Sequence, residues 1–205
     1  MSTLEAVTLG LDPISADAPA GAAVRYEPEY EELQNEIAKL QSVTDRNVKW
    51  ERVVELATVL LSEKGKDMLV AAYLTLGWLR VDGYPGLAAG LTVCRDMLVT
   101  FWETMQPALK RARARGQALE WLASKAEPLP DPTQADREAI ARSIELLQEI
   151  YAFTGEKLGN DAPALGPMRR ELEGKLGELP EPQAEAPPEP DPPPAAEQAP
   201  PPADA

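Results

Sequence analysis

Histidine is absent from the 205 residues, and cysteine occurs once, as Cys94. Without an imidazole there is no Ser-His-Asp or Cys-His nucleophile, no His-ligated metal and no zinc-finger spacing. A lone thiol makes no intramolecular disulfide, which suits a reducing compartment. Flanked by Leu91, Val93 and Met97, Cys94 reads as core packing. Long apolar runs are missing too. The strongest, residues 68–79, falls far short of the roughly 20 residues a spanning helix needs, and residues 1–10 lack the basic and apolar regions of a secretory signal. Basic residues are scarce, 20 against 34 acidic, for a formal charge of -14 that repels nucleic acid and anionic membrane. These absences predict a cytoplasmic, non-enzymatic protein with no cofactor or metal, no nucleic-acid partner and no direct membrane insertion.

No run alternates with the period of two that marks a strand, so the expected fold is all-α. Pro28 followed by Tyr30, Leu33, Ile37 and Leu40 gives the stripe of a helix starting near Pro28. A second helix is predicted from about Val48 to Leu61, with Val53, Val54, Ala57, Leu60 and Leu61 on one side. A third opens at Lys66 or Asp67, carries Leu69, Tyr73, Leu76 and Leu79, and stops at Asp82-Gly83. A fourth runs from near Pro85 to Trp102 and ends before Pro107, while Leu119 and Trp121 mark a shorter fifth. After a rigid break at Pro128, Pro130 and Pro132, Thr133 or Asp131 caps a helix bearing Ile140, Ile144, Leu147, Ile150 and Tyr151. A short last helix comes after Pro163. The organisation predicted is a flexible segment over residues 1–12, a compact domain of about five helices over 13–126, a helical hairpin over 127–179 and a tail over 180–205. That tail holds Pro, Ala, Glu, Gln and Asp with nothing apolar and branched to bury, so it should be disordered, with polyproline II character.

The spacing of Gly86 and Gly90 predicts close helix packing. It is not a phosphate loop, because no Lys-Ser or Lys-Thr comes after it. Gly65-Lys66-Asp67 reads as a tight turn with an acidic start to the next helix. The basic run Lys110, Arg111, Arg113 and Arg115 has no interleaved aromatics, so it reads as a solvated face or a docking patch for an acidic protein. Trp50, Trp78 and Trp102 fall at core positions, whereas Trp121, after a charged loop, is the better contact residue.

Pro19-Ala20-Gly21, then Arg25-Tyr26-Glu27-Pro28-Glu29-Tyr30 and Leu33, resemble the opening of the ImpA-type N-terminal domain found in TssA proteins of the bacterial type VI secretion system. Trp50 with Val53 and Val54, Lys66-Asp67 with Val70-Ala71, Gly83, Gly86-Leu87, Gly90-Leu91, Phe101-Trp102, Pro107 and Trp121-Leu122 continue the likeness in order. It covers about residues 13–125, and Asp161-Ala162-Pro163-Ala164-Leu165-Gly166 resembles the segment C-terminal to that domain in many TssA proteins. The resemblance implies an assembly component docking on type VI baseplate, sheath or inner-tube subunits, and it admits self-association. Candidate partner-binding residues are Arg25, Tyr26, Lys66, Asp67, Arg111, Arg113, Arg115 and Trp121. TssA proteins usually carry a variable, ring-forming C-terminal domain. This sequence stops in its proline-rich tail, which reads either as a fragment ending in a linker or as a short relative. The residues also fit a general helical adaptor that uses the tail to recruit a proline-binding partner.

Overall fold

A computed structural model describes residues 7–180, and within them the secondary structure is helical. Helix α1 spans Pro28–Ala38, opening on Pro28 with Glu29 and Glu31 in the first turn, where they favour the positive end of the dipole. Its inward face is Leu33 and Ile37. Helix α2, Trp50–Val59, buries Val53, Leu56 and Ala57 and runs on into a π-helical segment, Leu60–Lys64. Helix α3, Met68–Phe101, is apolar on nearly every side and is the central strut, as an all-round hydrophobic helix must be. The chain breaks inside it at Gly83 (φ 65°, ψ -142°), and Pro85 sits in the first turn after the break. The stop predicted at Asp82-Gly83 and the restart near Pro85 are therefore both present. Helices α4 (Arg113–Ala126), α5 (Arg137–Leu158) and α6 (Gly166–Glu178) complete the set.

The two halves of α3 fold back on each other through the small residues read from the sequence. A Cβ on Gly90 would lie 2.6 Å from the Thr75 Cα, and one on Gly86 would strike the Trp78 carbonyl. Cys94 is fully buried beside the Thr75 hydroxyl at 3.5 Å, and burial pushes its thiol up to about 11. It packs as expected.

Helices α2, α4 and α5 all pack on α3, and one hydrophobic cluster runs from Leu9 through Ile150 and Leu172 to Leu179. The segment after residue 126 thus shares the core. Trp102 meets Phe153 edge-on at 5.4 Å, and Arg95 of α3 pairs with Glu149 of α5 at 2.6 Å. Arg80 donates to the Lys125 carbonyl at 2.9 Å, closing the end of α4. Thr133 and Asp136 form a capping box at the start of α5, one of the two caps expected. Where a flexible start was expected, residues from Val7 onward are placed. Val7–Gly10 forms a 3-10 turn against α3, with Leu9 buried. Residues 1–6 and, apart from Pro180, the tail expected over 180–205 lie outside the described residues.

Candidate functional site

Three segments of chain meet at residues 64–68, between the π-helical segment and α3. Ala22 N–H donates to the Lys64 carbonyl at 2.9 Å and Lys66 N–H to the Ala20 carbonyl at 2.8 Å. On the other side Gln106 N–H donates to Lys66 and Met68 N–H to Gln106, at 2.8 and 3.0 Å. The crossing needs two glycines. Gly21 has φ 66°, and a Cβ on Gly65 would strike the Ala22 carbonyl.

At the crossing the backbone of Asp67 is extended, so neighbouring side chains leave on opposite sides. Lys66 Nζ donates to the Leu9 and Leu61 carbonyls at 2.8 and 2.7 Å and lies 5.6 Å from the centre of the Phe101 ring. Burial drives its pKa down to about 8, with Asp12 opposing weakly. Asp67 caps α3, its Oδ1 accepting from Leu69 N–H at 2.9 Å. Burial raises its pKa against the helix N–H groups of Leu69 and Val70 and the charges of Arg25 and Arg115.

Around Asp67 lies a cluster of aromatic and polar side chains. Gln34 of α1 donates to the hydroxyls of Tyr30 and Tyr73, at 3.1 Å each, and Tyr73 meets Trp121 of α4 edge-on, with ring centres 4.7 Å apart. Burial first, and the Asp67 charge with it, raises the pKa of both phenols. Tyr30, Gln34 and Trp121 are half-buried, Tyr73 is buried, and Arg25 is exposed within Coulombic reach of Asp67 and both tyrosines. Beside Arg25, Tyr26 is 94% exposed, an aromatic that folding leaves in water.

Of the eight residues singled out from sequence, the cluster gathers Arg25, Asp67 and Trp121, and Tyr26 adjoins Arg25 in the chain. Arg111 and Arg113 are exposed at the start of α4, Arg113 within 3.5 Å of Asp161. Lys66, Asp67 and Arg115, expected at a contact surface, are buried at 1%, 1% and 0% exposure. Arg115 breaks the basic run. It is turned inward, stacks on the Trp102 ring at 4.7 Å and donates to the carbonyls of Trp102, Met105 (2.8 Å) and Pro107 (2.7 Å). It and Lys66 thus serve the chain's own backbone, for a periodicity argument cannot tell an inward-facing cation from an outward one. Sequence reasoning missed Tyr30, Gln34 and Tyr73 as a polar group. The signal for them was two tyrosines at inward positions, since a phenol hydroxyl held inside a fold needs a partner. A concavity of about 580 Å³ lies between α5 and α6, against Leu147, Tyr151, Leu165 and Pro167.

The class so defined is an all-α module with a cluster of aromatic and polar side chains where α1, α3 and α4 meet. Residues 11–124 match the family described as ImpA, N-terminal, type VI secretion system, and the chain belongs to this TssA/ImpA N-terminal family. It is 32% identical over 109 residues to the type VI secretion system component TssA1 of Pseudomonas aeruginosa, covering 48% of this chain and 30% of that protein. It therefore spans less than a third of that relative's length. The fold is similar to the N-terminal domain, including the conserved ImpA_N region, of the TssA component from Burkholderia cenocepacia. There the TM-score is 0.68 at 18% identity, over 83% of this chain and 90% of that one. Among the described residues no helix is long and apolar enough to cross a membrane.

Proposed function

We propose that this chain is a non-enzymatic assembly component of a type VI secretion system, acting in the cytoplasm, whose helical domain docks on baseplate, sheath or inner-tube subunits. Family membership supports the system. The observation that carries docking is the exposed Arg25-Tyr26 turn, because an aromatic left 94% exposed next to a cation is the composition of an interface hot spot. The net charge of -14 adds to the selectivity by repelling nucleic acid and anionic lipid. The test is binding of the full 205-residue chain to purified sheath, tube and baseplate subunits. Capture of at least one, weakened in Arg25→Ala and Tyr26→Ala, is the expected result, and capture of none would sink the reading.

A further inference from the structure

The concavity of about 580 Å³ between α5 and α6 is open, apolar at its base and basic at its border. Leu147 and Leu165 lie buried at the base, with Gln148, Tyr151, Pro167 and Arg169 around them. Tyr151 stays 57% exposed, a second aromatic that folding leaves in water. No carboxylate lines the concavity, whereas two guanidinium groups border it. Arg169 keeps 42% of its side chain exposed while pairing with Glu173 at 3.4 Å. The exposed Arg170 folds back over Gly166, another lining residue, its Nη1 3.3 Å from where a Cβ would stand. Among the described residues, the Gln148 amide and the Tyr151 hydroxyl make no hydrogen bond, so both have donors to offer.

We propose that this concavity receives residues 190–194 of the same chain, Pro190-Asp191-Pro192-Pro193-Pro194, with proline rings against Tyr151 and Leu147 and Asp191 beside Arg169 and Arg170. Polyproline II backbone makes no hydrogen bond to itself, so its carbonyls need outside donors, and its rings pack in grooves walled by aromatics. Charge is complementary as well. Residues 181–205 carry Glu189, Asp191 and further carboxylates with no lysine or arginine, and they would meet two guanidinium groups. The reach is sufficient. Arg137 Nη2 donates to the Leu179 and Pro180 carbonyls at 2.8 Å each, which fixes the departure of the tail at the first turn of α5. Tyr151 lies about 21 Å further along that helix. Residues 181–189 cover about 28 Å as polyproline II, leaving length for the chain to turn back. The tether sets an effective concentration on the order of millimolar, which favours this occupant over the same segment of a second copy. The inference is independent of the secretion reading, since it uses neither Arg25 nor Tyr26.

The experiment is NMR paramagnetic relaxation in the isotopically enriched full chain carrying Ala195→Cys with a nitroxide on the new thiol. Cys94 is fully buried, so the nitroxide goes to the introduced cysteine. Broadening should concentrate at the Leu147, Gln148, Tyr151 and Gly166 amides and be weak over α1. Tyr151→Ala, at an exposed position, should at least halve it. Asp191→Asn and high salt should each reduce it, because both weaken the pairing with Arg169 and Arg170. Tyr26→Ala removes the other exposed aromatic and should leave it unchanged. Broadening spread evenly over the surface, or as strong in Tyr151→Ala as in the parent chain, would overturn the site. A mixed sample decides which chain supplies the tail: enriched chain without nitroxide is combined with unenriched chain that carries it. No broadening at the same amides is the expected result there. Broadening equal to that in the single-chain sample would give the concavity to the tail of a second copy and overturn the assignment to the same chain.

Discussion

Lys66 and Arg115 show what a buried cation costs and what offsets it. Lys66 has a folded pKa near 8, below its ordinary value of 10.5. Between those two values the unfolded chain binds more protons than the folded one, so this group makes stability rise with pH across that window. Below about pH 8 both states are protonated and the full penalty of charging the buried amine is present. Urea denaturation of wild type and Lys66→Met at about pH 7.5 and about pH 9.5 should therefore show the difference shifting in favour of wild type at the higher pH. A constant difference would mean that Lys66 titrates as it does in water. Arg115 holds three carbonyls with no carboxylate hydrogen-bonded to it. Arg115→Leu strands all three, and a loss of about 3 kcal/mol or more is expected by chemical denaturation. Arg111→Ala and Arg113→Ala, at exposed positions of the same run, should stay within about 0.5 kcal/mol of wild type.

At the scale of elements, the fold turns on two glycines that act through different physics. Gly83 combines φ 65° with ψ -142°, a region that side chains avoid, and a Cβ there would touch nothing within 4 Å. Gly83→Ala should therefore cost about 1–3 kcal/mol from backbone strain alone. Gly90 has ordinary helical geometry, but its Cβ would lie 2.6 Å from the Thr75 Cα, where backbone must give way. Gly90→Ala should cost a similar amount, about 1–3 kcal/mol, by prising apart the two halves of α3. Thr75→Ala removes the side chain but leaves that Cα in place, so it should not rescue Gly90→Ala. Melting temperatures of the three single variants and of the Thr75→Ala, Gly90→Ala double variant check both claims.

On the scale of the whole molecule, α5 and α6 are part of the body they extend. Ile150 is fully buried in the shared cluster, and Phe153, one turn on, meets Trp102 just past the end of α3. Ile150→Ala should lower stability by about 2–5 kcal/mol. Tryptophan fluorescence and far-UV circular dichroism should report one coincident unfolding transition in wild type and variant alike. Two separated transitions would show instead that residues after 126 unfold on their own.

Much of this architecture was legible in the residues. Pro28 with Leu33 and Ile37, the Asp82-Gly83 stop, the Thr133 cap and the Gly86–Gly90 spacing each set a local conformation or a stripe, and local physics does not depend on distant chain. The order of short motifs likewise pointed to the family to which the chain belongs. Direction and company were decided only by the tertiary structure. Arg113 and Arg115 stand two residues apart in one basic run, yet one is exposed and the other fully buried, because carbonyls at Trp102, Met105 and Pro107 converge on only one of them. The cluster around Asp67 is likewise built from α1, the start of α3 and α4, with Gln34 and Tyr73 separated by 39 residues. Such a group exists only once three helices have packed, since no local pattern encodes which side chains will meet across them.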